Sequence, residues 1–106
     1  ERFLHKAEDF VRQNIANDNL TVDFLGEYLG LSRSLLYRRM KESVNKTPAQ
    51  FIKDIRIREA ERLLKSQKYT IAEIADMTGF CDPKYFSRVF KKETGKVPTT
   101  YLKEQE

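Results

Sequence analysis

The feature that most restricts this fold is an internal repeat. A shift of 49 positions lays Thr70 on Thr21, Ile71 on Val22, Ile74 on Leu25, Gly79 on Gly30 and Phe80 on Leu31. One residue inserted at the second corner changes the shift to 50. It then pairs Leu36 with Phe86, Arg38 with Arg88, Met40 with Phe90, Lys41 with Lys91, Lys46 with Lys96, Pro48 with Pro98 and Phe51 with Tyr101. Each copy spells a capped short helix, a glycine corner, a second helix and a proline that opens the next. Two copies are fewer than the roughly three a stacked solenoid needs, so the repeat predicts two helix-turn-helix units joined by the helix from Pro48 to about Leu64, with either a single compact core or two small cores sharing that helix.

Between these anchors the apolar spacing is helical. Phe3, Leu4, Ala7, Phe10, Val11 and Ile15 recur at helical intervals around Lys6, Glu8, Asp9 and Arg12, which predicts a first amphipathic helix from Phe3 to Ile15. The polar run Asn17-Asp18-Asn19 ends it. Gly30 closes the short helix that follows Thr21, and Ser32 caps a third helix running to about Ser43. Thr47, Pro48 and Gln50 supply a cap, a first-turn proline and a capping-box partner for a fourth helix bearing Phe51, Ile52, Ile55, Ala60, Leu63 and Leu64. That helix should last about 16 to 18 residues, to the polar stretch Ser66-Gln67-Lys68. Thr70 and Glu73 form another capping box for a short helix that stops at Gly79. Asp82-Pro83 opens a sixth helix that ends at Thr94-Gly95, and Pro98 opens a last one with Tyr101 and Leu102.

With four Gly and three Pro, the chain has few places to turn, which favours helices on short loops over a many-stranded sandwich. Apolar residues are 40% of the 106, with seven Phe and five Tyr, enough for a core despite 34% charged residues. The expected architecture is all-α, with about seven helices. Homeodomain-like helix-turn-helix units occupy residues 1–47 and 66–106, and a linker helix at 48–65 joins them.

Each helix after a corner carries a polar, basic face. Leu35, Leu36 and Met40 are expected to point inward, which leaves Ser34, Tyr37, Arg38 and Lys41 on the other side at i, i+3, i+4 and i+7. The second unit presents Lys84, Ser87, Arg88 and Lys91 at the same relative positions, with Tyr85, Phe86, Val89 and Phe90 assigned to its core. A recognition helix in the major groove needs long donors near its start and charge farther along. Arg38 and Arg88 can pair with guanine O6 and N7, each worth about 1 to 3 kcal/mol of discrimination. Ser34, Tyr37, Lys84 and Ser87 are further candidates for base contact, while Lys41, Lys91 and Lys92 suit phosphates. Helix N-termini at Thr21, Ser32 and Thr70 add backbone donors for phosphate oxygens. A single basic stripe is commonly a solvated face; two copies with Arg and Lys in the same places argue against that here. An acidic protein surface and non-specific or RNA binding stay open as alternatives.

The run from Gly79 through Asp82-Pro83-Lys84-Tyr85-Phe86-Ser87-Arg88, Phe90-Lys91-Lys92, Gly95 and Pro98 to Tyr101 resembles the signature of the arabinose-regulator (AraC/XylS) family of bacterial transcription regulators. The likeness extends over nearly the whole chain, through Ile74-Ala75 and the stretch from Ile55-Arg56 to Leu64. It implies a seven-helix domain whose two recognition helices enter successive major grooves, with Arg38, Arg88, Ser34, Tyr37, Lys84 and Ser87 at positions that approach bases. It also implies double-stranded promoter DNA and RNA polymerase as partners, and promoter activation. The first unit departs from the family pattern at Asn45, where Gly is usual, and at Met40, where Phe is common. Ser32 to Arg39, Pro48 with Phe51-Ile52, and Asp82 to Arg88 look especially like the output domains of two-component regulators. That likeness implies other domains in the parent protein, among them a sensor, a kinase and a receiver, and an inner-membrane anchor for the parent.

The remaining residues point away from catalysis. His5 has no second His or Cys at ligand spacing, and Cys81, beside a cap and near no His, reads as a corner residue. No Gly-rich phosphate loop occurs, so no cofactor and no small-molecule ligand are expected, and this piece is not expected to be an enzyme. A lone cysteine excludes an internal disulfide framework, and with no apolar run near 18 residues and no signal peptide a cytoplasmic setting is expected. The net charge of +4 permits a polyanionic partner without requiring one. A start at Glu1 with no initiator Met suggests a domain cut from something longer.

Overall fold

The helices α2, α3, α5 and α6 each begin where a side-chain oxygen meets otherwise orphaned N–H groups. In the computed structural model, which describes residues 2–104, Thr21 Oγ1 accepts from Phe24 N at 3.1 Å and Ser32 Oγ from Leu35 N at 3.3 Å. Thr70 and Glu73 close both halves of their capping box, and Asp82 accepts from Lys84 N with Pro83 behind it. The elements in chain order are α1 (Arg2–Gln13), α2 (Val22–Leu29), α3 (Arg33–Val44), α4 (Pro48–Ser66), α5 (Ile71–Met77), α6 (Pro83–Thr94) and α7 (Pro98–Glu104). This is the all-α, seven-helix tandem arrangement expected. Three outermost positions of the expected units, Glu1, Gln105 and Glu106, lie outside the described residues.

The chain divides between Ile55 and Arg56, inside α4, into two compact units. In the first, Phe3, Ala7, Phe10 and Val11 of α1 pack with Leu25, Leu36, Met40 and the α4 residues Phe51, Ile52 and Ile55. Phe10 stacks on Tyr28 at 4.1 Å and tilts against Phe24 at 5.1 Å. In the second, Ile57, Ala60, Leu63 and Leu64 of α4 pack with Ile74, Ala75, Phe80, Phe86, Val89 and Phe90. Phe86 lies 5.2 Å from Phe80 and 5.6 Å from Phe90, and Phe90 meets Tyr101 edge-on at 5.4 Å.

The two corners repeat the same pair of closing bonds. Gly30, at φ 70°, donates to Glu27 O, and Leu31 N donates to Gly26 O, the paired closing bonds of a Schellman turn. Forty-nine residues on, Gly79 N donates to Asp76 O and Phe80 N to Ala75 O. Gly26 is glycine for a separate reason: a Cβ there would stand 3.1 Å from Leu31 O, in the tightest part of the first corner. The inserted residue of the second corner is Cys81, which takes a left-handed φ of 66°. Asn45 and Gly95, paired by the shift of 50, both cap their helices in the left-handed region and donate to Lys41 O and Lys91 O. Asn is among the few residues that enter that region at low cost, so the missing family glycine changes nothing in the turn.

Cysteine has no such tolerance. Cys81→Gly is expected to raise stability by about 0.5 to 1 kcal/mol, the left-handed strain removed less the extra freedom of glycine in the unfolded chain. Urea denaturation followed by far-ultraviolet circular dichroism measures it, and a loss of stability would show that the Cys81 side chain holds the corner.

Some boundaries and two burials differ from the sequence reading. α1 ends at Gln13 rather than Ile15, and at its end both the backbone N–H and the side-chain amide of Asn14 donate to Phe10 O, the latter at 2.9 Å. α5 ends at Met77, where buried Thr78 donates its hydroxyl to Ile74 O at 2.6 Å. At α4, Thr47 accepts from Gln50 N as a cap should, while the Gln50 amide nitrogen donates forward to Asp54 at 2.7 Å. Leu35 and Tyr85, both assigned to the core, are instead 39% and 45% exposed. Adjacent residues on a helix are turned by about 100°, and here Leu36 and Phe86 take the inward positions while their predecessors lie on the flank.

Candidate nucleic-acid interface

The second helix of each helix-turn-helix pair has one buried stripe and one bare face. In α3 the stripe is Leu36 and Met40; in α6 it is Phe86, Val89 and Phe90. Opposite it, Ser34, Tyr37, Arg38 and Lys41 are all exposed on α3. On α6, Lys84, Arg88, Lys91 and Lys92 are exposed and Ser87 is half-buried. The register is the same in both helices: counting from Arg33 and from Pro83, Arg38 and Arg88 are each sixth and Lys41 and Lys91 each ninth. The structure therefore brings the residues into two matched sets, one per unit.

Charge on these faces is uncompensated. Several cations elsewhere have local partners: Arg12 with Glu8 at 3.0 Å, Arg33 with Asp23 at 3.4 Å, Lys46 with Asp54 at 2.6 Å, and Lys96 with Glu104. Among the described residues none of Arg38, Lys41, Lys84, Arg88, Lys91 or Lys92 pairs with a carboxylate. Free guanidinium and ammonium donors held on a rigid helix can meet base edges or phosphates without breaking an existing ion pair. Arg88 is already steered, its Cζ lying 5.8 Å from the centre of the Tyr85 ring.

The helix N-termini are not equivalent. Ser32 is a neutral cap, so the positive end of α3 is left uncompensated by its own cap. Asp82 places a carboxylate at the equivalent point of α6. At Thr70 the N–H is taken by Glu73 at 2.8 Å, leaving the hydroxyl as the free donor, and Thr21 is exposed with its oxygen capping Phe24 N. What the sequence reading missed are Leu35 and Tyr85, which flank the arginines; apolar spacing does not mark them, since the consecutive pair Val89 and Phe90 is buried on the same kind of helix. Among the described residues no three His, Cys, Asp or Glu side chains are grouped to hold a metal ion, and no helix is long and apolar enough to cross a membrane.

Two capped helix pairs, each closing on a glycine corner and presenting a basic second helix, define a helix-turn-helix protein. Residues 25–104 match the family described as helix-turn-helix domain. The chain belongs to that family and, within it, to the AraC-type DNA-binding domains of transcription regulators. It is 39% identical over 101 residues to Histidine kinase P4 of Formosa agariphila, a match covering 95% of this chain and 7% of that protein. It is 30% identical over 98 residues to the arabinose operon regulatory protein of Escherichia coli, covering 92% of this chain and 34% of that one. The chain thus spans about a third or less of the length of these relatives. Among solved structures, the C-terminal domain of AraT, a response regulator from Geobacillus stearothermophilus, superposes with a TM-score of 0.89 at 28% identity, over 98% of this chain and 86% of that one.

Proposed function

We propose that this domain binds double-stranded DNA at a specific promoter site, with α3 and α6 as recognition helices in successive major grooves. Arg38 and Arg88 read guanine, Ser34, Tyr37, Lys84 and Ser87 make the remaining base contacts, and Thr21, Ser32, Lys41, Thr70, Lys91 and Lys92 hold phosphates. Residues 1–47 and 66–106 act as the two reading units and 48–65 as the helix between them. The observation that carries this reading is the matched pair of faces, each with an exposed, unpaired Arg at its sixth position and Lys at its ninth.

The domain serves as the output end of a longer signalling protein and raises transcription through contact with RNA polymerase. Its likeness to a small fraction of a histidine kinase supports a two-component parent with sensor, kinase and receiver segments, anchored in the inner membrane with this domain on the cytoplasmic side. The domain itself performs no catalysis and takes no cofactor or small-molecule ligand.

Selection of bound duplexes from a random DNA pool is expected to converge on one asymmetric site, bound at least about a thousandfold tighter than random duplex. On that site three lysine–phosphate contacts alone give a log–log salt slope of about −3, and further contacts steepen it. A pool that never converges, or affinity indifferent to salt, would overturn the reading in favour of an acidic protein partner. Preference for single-stranded or structured RNA over every duplex would overturn it as well.

A further inference from the structure

We infer that Leu35 and Tyr85 are specificity-determining residues, each presenting an apolar surface to a thymine 5-methyl group beside the arginine that reads guanine. The inference rests on the DNA-binding reading above and adds to it a base type and two residues. Among the described residues five large hydrophobic side chains are exposed, and three of them, Leu35, Tyr37 and Tyr85, lie on α3 or α6. Leu35 and Tyr85 also occupy the same place, third in their helices and three residues before Arg38 and Arg88. A single exposed apolar residue on a protein surface needs no explanation. Two at the same register, each on the flank of a basic face, call for one.

Geometry restricts what they can meet. At about 100° per residue the third position lies about 60° around the helix from the sixth, on the edge of the face rather than behind it. The Tyr85 ring lies 6.0 Å from that of Phe80 and 5.8 Å from Arg88 Cζ, so the ring and the guanidinium approach a partner together. Within the major groove the base edges offer donors, acceptors and a single apolar group, the thymine methyl. A leucine and a tyrosine ring at the groove-entering end of their helices therefore gain by burial only against thymine. The preferred site should carry a thymine next to the guanine read by each arginine.

Deoxyuridine tests this directly, because it keeps the pairing and the O4 acceptor and lacks only the methyl. The probes are the duplex selected from the random pool and its single thymine-to-deoxyuridine variants. Wild-type protein is expected to lose about fourfold in affinity at one thymine in each half-site, the equivalent of about 0.8 kcal/mol for one buried methyl group. Tyr85→Ala should abolish that difference in one half-site and leave the other, Leu35→Ala the reverse, and Tyr85→Phe should keep both. Deoxyuridine that is silent throughout a site still preferred over random DNA would overturn this inference and leave sequence-specific binding standing. A uniform loss in Tyr85→Phe on both kinds of duplex would assign the hydroxyl to a phosphate and overturn it too. Absence of any preferred duplex would sink the binding proposal and this one with it. Both side chains are partly exposed, and circular dichroism melting confirms that each of the three variants is folded.

Discussion

Phe86→Ala is expected to lower stability by about 3 to 5 kcal/mol. Phe86 is fully buried, and its ring is held between Phe80 at 5.2 Å and Phe90 at 5.6 Å, both aromatic and both themselves buried. Truncation removes the transfer free energy of the ring and leaves a void that two rigid neighbours fill poorly. A domain of this size has about 5 to 15 kcal/mol in total, so the loss is a large share of it. The second unit has its own hydrophobic cluster, separate from that of the first. Hydrogen exchange in Phe86→Ala should therefore speed up first over α5, α6 and α7, with amides of α1 to α3 protected for longer. A loss below about 1 kcal/mol, or uniform exchange over both units, would show that the core is not organised in this way.

The double replacement of Arg38 and Arg88 by alanine is expected to weaken binding to the selected duplex by roughly 30-fold or more, as two independent losses of about 1 to 3 kcal/mol each. Each single variant should relax preference at one or two base pairs and leave melting unchanged, because both side chains are exposed and neither is in an ion pair. Lys91→Ala provides the contrast. It should weaken every duplex alike and flatten the salt slope by about one. Arginine variants that behave like the lysine variant would move Arg38 and Arg88 to the phosphates, and an unchanged site preference in Arg38→Ala would remove the first unit from base reading.

Much of the fold was legible because its signals are local. Caps at Thr21, Ser32, Thr70 and Asp82, prolines at 48, 83 and 98, and corners at Gly30 and Gly79 act within a few residues of chain, so each can be read without knowing what packs where. The helix faces were legible too, since a period of about 3.6 residues assigns Arg38 and Arg88 to the side away from Leu36 and Phe86. Less visible were the last turns of α1 and α5, where Asn14 reaches back to Phe10 O and Thr78 to Ile74 O, bonds that apolar spacing does not register.

Composition and pattern alone established two copies of one helical device with a basic second helix, because each copy needs only bonds and periodicities a few residues long. Three things were left to the folded chain: the division of α4 between two cores, the left-handed turn at Cys81, and the flanking exposure of Leu35 and Tyr85. These depend on which of several apolar neighbours reaches a core of limited room. That competition between side chains distant in the chain is settled by packing, which no local window contains.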